Sequence, residues 1–241
     1  MVSDRMAVVL ALLDGDRARG ANLPRTVAVR AAAALGVDGI CAGLGTGSSG
    51  TVLAWGQEAV SAGLEDLQFT LGQGPGPEAV AGGAPVLVPD LAAAQARWPQ
   101  LVPAALGLGV RAIFALPLRI GAISVGALVA HRGTPGRLAE GEFADASALA
   151  DAVTVMLVHQ QNAGADPDGR PGNGPQPGWA RPATYRAQVH QATGMISAQL
   201  GVSLAEALVR LRAHAYAEDR LIAEVAAEVV ARRLRFGELD A

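Results

Sequence analysis

The chain holds few side chains able to do covalent or metal chemistry, and their spacing speaks mainly through what it lacks. The single cysteine, Cys41, excludes a disulfide framework and a thiolate zinc site within one chain. Lying in an expected strand, it reads as a small buried hydrophobe rather than a haem ligand or redox thiol. His131, His159, His190 and His214 are too scattered for metal-ligand spacing. Gly47-Ser48-Ser49-Gly50 misses the G-x-S-x-G spacing of a nucleophile elbow. The run Gly72-Gln73-Gly74-Pro75-Gly76-Pro77 is glycine-rich but has neither the Lys nor the Ser/Thr of a phosphate-binding loop, and is expected to be a turn around a sheet. Asp and Glu are dispersed. No catalytic residue, metal or cofactor is assigned, and the chain reads as a non-enzyme. The basic residues are unusual in another way: all 19 are Arg, with no Lys. The planar guanidinium fork suits phosphate and RNA, although the bias also fits a GC-rich coding sequence with its 30 Gly and 14 Pro.

The frame that must position these groups is 241 residues long, enough for one or two domains. Hydrophobic residues make up 51% and charged ones 17%, with a net charge of −3. That balance excludes a wholly disordered chain and a broadly basic nucleic-acid coat. No uninterrupted apolar run reaches about 18 residues, so no membrane span is expected. Met1–Asp14 lacks the features of a signal peptide, and a cytoplasmic location is expected.

Residues 162–183 contain five Pro and five Gly. Such a stretch is expected to be a linker of roughly 25 Å between residues 1–161 and residues 184–241. Before it, helix and strand signals alternate. Helices are expected at Arg5–Leu13, from Leu23-Pro24 to Leu35 with Gly36 as stop, at Glu58–Leu64, Glu78–Ala81 and Leu101–Leu106, and from Glu140 to Gln160. Strands are expected at Val37–Leu44, Thr51–Trp55 and Pro85–Val88. Val110–Leu118 and Ile123–His131 form the best hairpin candidate. Adjacent strands with helices gathered at the start and end favour an α+β layer over a doubly wound parallel sheet.

After the linker, three helices are expected. The first begins at Thr184, buries Val189, Ala192 and Ile196, and stops at Gly201. Ser203 and Glu206 make a capping box for the second, whose stripe is Leu204, Leu208, Leu211 and Ala215. The third carries Ile222, Val225, Ala226 and Val229. Three such short helices are expected to bury their stripes only against each other, and dimerisation would aid so small a core.

Within Arg186–Leu234, the runs Ala192-Thr193-Gly194-Met195, Leu200-Gly201-Val202-Ser203, Glu206-Ala207, Leu211-Arg212 and Val225-Ala226 resemble the ANTAR domain. The resemblance implies a three-helix module, usually dimeric, that binds antiterminator stem-loops in nascent transcripts. Many members carry Lys where this chain has Thr193, so one phosphate-seeking charge is missing. On that resemblance the candidate RNA face is Arg186, His190, Gln191, Thr193 and Gly194, with Arg212 and Arg220 nearby. Gly194 inside a helix costs about 1 kcal/mol relative to Ala; close helix approach or access for RNA would offset it. Seven Arg in residues 184–241 meet seven carboxylates, so no overall basic footprint exists and a local face must do the binding. Arg232-Arg233-Leu234-Arg235 reads as a basic patch or as a complement to a helix C-terminus. His214 and Tyr216 read as packing residues.

Leu67 to Pro75, Pro85 to Leu91, Trp98-Pro99 and Arg111 to Leu118 resemble a GAF domain of the actinobacterial type that precedes ANTAR domains. That implies an antiparallel sheet flanked by helices, commonly a small-ligand sensor. Trp55, Phe69, Trp98 and Phe114 could line its pocket, with core packing the more ordinary role. Together the two resemblances imply a signal-responsive antitermination regulator that acts on RNA hairpins as a homodimer. The alternative is a protein-docking signalling module without RNA binding, favoured by the neutral charge of the C-terminal part.

Overall fold

The computed structural model describes residues 2–18, 25–44, 52–55, 59–163, 183–218, 220 and 222–237. The expected turn at 45–50 and residues 164–182 of the expected linker lie outside the described residues. Five strands form one antiparallel sheet: β1 (Gly39–Leu44), β2 (Val52–Trp55), β3 (Val86–Val88), β4 (Ala112–Ile120) and β5 (Ile123–Arg132), in the order β2-β1-β5-β4-β3. The expected α+β architecture is therefore found.

Both faces of this sheet are covered. On one lie α1 (Asp4–Ala18), α2 (Arg25–Leu35) and α6 (Glu140–Ala163); on the other lie α3 (Ala59–Leu71), α4 (Pro75–Gly82) and α5 (Leu101–Gly107). Strand side chains alternate between faces. Ala112, Phe114 and Leu116 accordingly join the α1/α2/α6 core, while Ile113 and Ala115 join the α3/α4/α5 core. This double coverage is why β4 reads as a continuous apolar run rather than an alternating one. On α6, Ala146, Leu149, Ala150, Val153 and Leu157 are buried, and Phe143 is half-buried against the same core.

One helix is longer than the sequence suggested. Glu58–Leu64 was expected as a helical turn, whereas α3 continues to Leu71. Its second half is hard to read because a buried polar residue, Gln68, interrupts the apolar pattern. Gln68 has a structural task. Gly74, the N-cap of α4, has no side chain, and the Gln68 Oε1 instead accepts from the Gly76 amide at 2.8 Å. The Gly72–Pro77 run is thus a short turn followed by a helix start, with Pro75 in the first helical turn where it needs no N–H partner.

The C-terminal helices are α7 (Ala183–Leu200), α8 (Leu204–Ala217) and α9 (Ile222–Val230). Gly201 takes φ +65, as a left-handed stop requires. The Ser203 Oγ accepts from the Glu206 amide at 3.2 Å, so the expected N-cap forms. Val189, Ala192, Ile196, Leu208, Leu211, Ala215, Ile222, Val225, Ala226 and Val229 make the core. Two expectations need correction. Leu204 is exposed, because the first position of α8 points away from the bundle. The stripes also do not pack solely against one another: Phe69 of α3, 3% exposed, belongs to the same core.

Candidate nucleic-acid interface

The expected RNA face divides once the helices are in place. His190 and Gln191 stand exposed on α7, and Gly194 follows one turn later. A Cβ at Gly194 would meet nothing within 4 Å. Close helix approach is therefore not what offsets this glycine; its flank is open. Arg186 lies on α7, and its side chain lies outside the described ones.

Thr193 does not belong to an open face. It is 5% exposed, and its hydroxyl donates to the Val189 carbonyl at 2.7 Å, a back-bond within the helix. Arg220 is also committed elsewhere. Its guanidinium meets Glu218 at 3.1 Å and Glu228 at 3.0 Å, tying the end of α8 to α9. The hydrogen bonds it donates to Glu228 first, and then to Glu218, raise its pKa, and the same contact with Arg220 lowers that of Glu228. Arg220 is a clamp between helices rather than a ready phosphate contact.

Arg212 is the informative case. It projects from α8 toward the end of α3, where its Nε and Nη2 donate to the Phe69 carbonyl at 3.2 and 2.9 Å. Phe69 is among the last four residues of α3, whose carbonyls lack intrahelical donors. A guanidinium there satisfies an orphan acceptor and complements the negative end of the helix dipole. The same guanidinium lies 5.8 Å from the Phe69 ring centroid. Gly72 makes the approach possible: at φ +63, any Cβ it carried would lie 2.7 Å from Arg212 Nη1. Among the described residues no carboxylate lies within ion-pair distance of Arg212, and burial lowers its pKa. A guanidinium nonetheless stays protonated at neutral pH. Phe69 also meets His190, with ring centroids 6.5 Å apart in an edge-on arrangement.

Two candidate RNA contacts, His190 and Arg212, thus converge on one residue of the N-terminal part. From sequence, Phe69 is a candidate pocket aromatic and Gly72 the start of an expected turn, and neither is placed against Arg212 or His190. The clue was the pairing of a phenylalanine near a helix end with a glycine three residues on, which spacing alone could not assign to a partner 143 positions away. A groove of about 790 Å³ runs beside this contact, lined by Leu67, Leu71, Ala104, Val209 and Tyr216. Tyr216 is exposed on it, contrary to its expected packing role. His214 does pack, 5.1 Å from the Phe236 ring. Arg232 and Arg233 follow α9, where the Arg233 amide donates to the Glu228 carbonyl and its charge helps lower the Glu228 pKa, consistent with a helix-end role.

The other aromatic candidates do not share one pocket. Phe114 and Trp98 are buried on opposite faces of the sheet, Phe69 is in the terminal bundle, and the Trp55 side chain lies outside the described ones. Cys41 is buried in β1, with its Sγ 3.9 Å from the Ser61 carbonyl. Among the described residues no three His, Cys, Asp or Glu gather as a metal site. No single helix there is long and apolar enough to cross a membrane.

Comparison with known proteins matches two domain profiles to the chain. The ANTAR domain profile matches residues 182–230 and the GAF domain profile matches residues 22–157. No curated protein matches the chain. Among solved structures it is similar to the GAF domain of an Acinetobacter phosphoenolpyruvate-protein phosphotransferase, at 14% identity and TM-score 0.50, covering 68% of this chain and 98% of that one. It is also similar to the GAF domain of the Coxiella burnetii counterpart, at 22% identity and TM-score 0.49, covering 67% and 99%. A third is the free methionine-R-sulfoxide reductase of Neisseria meningitidis in complex with its substrate, at 20% identity and TM-score 0.46, covering 68% and 96%. At such identities likeness speaks to fold alone. With its profile covering more than half of the sequence, the chain belongs to the GAF domain family, and it carries a C-terminal ANTAR domain.

Proposed function

We propose that this protein is a cytoplasmic, signal-responsive regulator that binds stem-loop RNA in nascent transcripts and promotes transcription antitermination. The observation that carries the reading is the open side of α7 within the ANTAR match: exposed His190 and Gln191, then Gly194 with nothing within 4 Å of where a Cβ would stand. Loop bases stack on Arg planes and rings, and a helix glycine lets a backbone approach closely. Arg212 of α8 supplies the cation, and Arg186 stands on α7. The GAF domain senses the signal, a small molecule or a partner. The chain acts as a homodimer through α6, where Val155 is exposed, beside α1, where Val8 is exposed. Two linked ANTAR domains would then grip two hairpins at a raised effective concentration.

The test is a titration against hairpin RNA with randomised loops at two salt concentrations. Specific binding with a shallow salt slope is expected, since a balanced domain neutralises few phosphates. No binding even at low salt, or equal binding to duplex DNA, would favour a protein-docking module instead.

A further inference from the structure

We propose that the C-terminal end of α3 and an RNA hairpin are alternative occupants of one face of the ANTAR domain, so that the GAF domain closes that face through Phe69. The inference rests on the RNA-binding reading above and adds its control.

The contact imitates a nucleotide. The Phe69 carbonyl oxygen takes two N–H groups from the Arg212 fork at 3.2 and 2.9 Å, as a phosphate oxygen would. The Phe69 ring meets His190 edge-on, where an unstacked base would present its own plane. The carbonyl sits at the negative end of α3, so an anionic character is supplied to a cation that has no carboxylate partner among the described residues. Gly72 leaves the space the guanidinium fills. A hairpin needing Arg212 and His190 must displace Phe69, which is 3% exposed and cannot leave without moving α3. Since α3 also packs on the sheet core through Leu64, any change that shifts α3 reaches the RNA face directly.

The experiment uses the full chain, wild type beside Gly72→Asn and Phe69→Leu. Asn tolerates the left-handed conformation at position 72 while crowding the guanidinium, and Leu keeps apolar bulk while removing the ring. The probe is a hairpin RNA pool with randomised loops. Both variants are expected to bind about tenfold more tightly than wild type, because apparent affinity scales with the open fraction. Independently of any variant, saturating RNA is expected to speed amide exchange over residues 67–73 of the wild type. Equal or weaker RNA binding by variants of unchanged helicity overturns the proposal alone, as does exchange at 67–73 that RNA leaves unaltered. Absence of binding by all three proteins overturns the RNA reading and this control with it.

Discussion

Ser61 Oγ lies 3.0 Å from His131 Nε2, sealed between α3 and β5. The pair sits beside Gly39, which is in register with His131 across β1 and β5. A Cβ at position 39 would stand 2.4 Å from the ring nitrogen and 2.6 Å from the hydroxyl. Gly39→Ala is expected to destabilise the fold by about 1–3 kcal/mol, the usual range for overpacking a core. Chemical denaturation of the two proteins measures it; an unchanged midpoint would mean that the hydrogen-bonded pair yields freely.

Gly194→Ala should separate folding from binding. The position is in a helix interior with open space around it, so alanine is expected to stabilise the protein by about 1 kcal/mol. RNA binding is expected to weaken, because the new methyl stands where a backbone or base would approach. A variant that is more stable and binds RNA as well as wild type does would remove Gly194 from the interface.

Combining His190→Ala with Arg212→Ala tests the face itself, provided the control is already released. In the Gly72→Asn background, losing both side chains is expected to cost about 1–3 kcal/mol of RNA affinity, roughly five- to 150-fold. The helical circular-dichroism signal is expected to persist, since His190 is exposed and Arg212 is outside the buried bundle core. Equal affinity would place the face elsewhere on the bundle.

Acid should loosen the α8–α9 connection. Glu228 has its pKa lowered chiefly by the hydrogen bond from Arg220. A carboxylate with a folded pKa below its unfolded one contributes stability above the ordinary carboxylate range and loses it as pH falls through the lowered value. Glu228→Gln is therefore expected to melt below wild type at neutral pH, with the gap closing on acidification. The effect is small, because the pair is open to solvent. A gap that does not change with pH would mean that the pair contributes through packing alone.

Much of the architecture was legible because local chemistry and burial agreed. Ser203 and Glu206 announce the start of α8, Gly201 the end of α7, and the α9 stripe is buried in full. The interface was less so, for reasons visible in single residues. Thr193 reads as polar and available, yet its hydroxyl is spent on a carbonyl four residues back. Arg220 reads as a free cation, yet Glu218, Glu224 and Glu228 hold it. Gln68 reads as a break in α3, yet it serves a helix that begins seven residues later. The partner that Phe69 meets, Arg212, lies 143 positions away, and one sequence without its fold does not reveal it.

The lodging of Phe69 in the terminal bundle binds the fates of the two halves in denaturation. Melting α3 would strip an aromatic plug from α7, α8 and α9, and melting those helices would leave a large ring bare to water. Heat or denaturant should thus dismantle the halves in a single cooperative transition, and whatever signal loosens one must also soften the other.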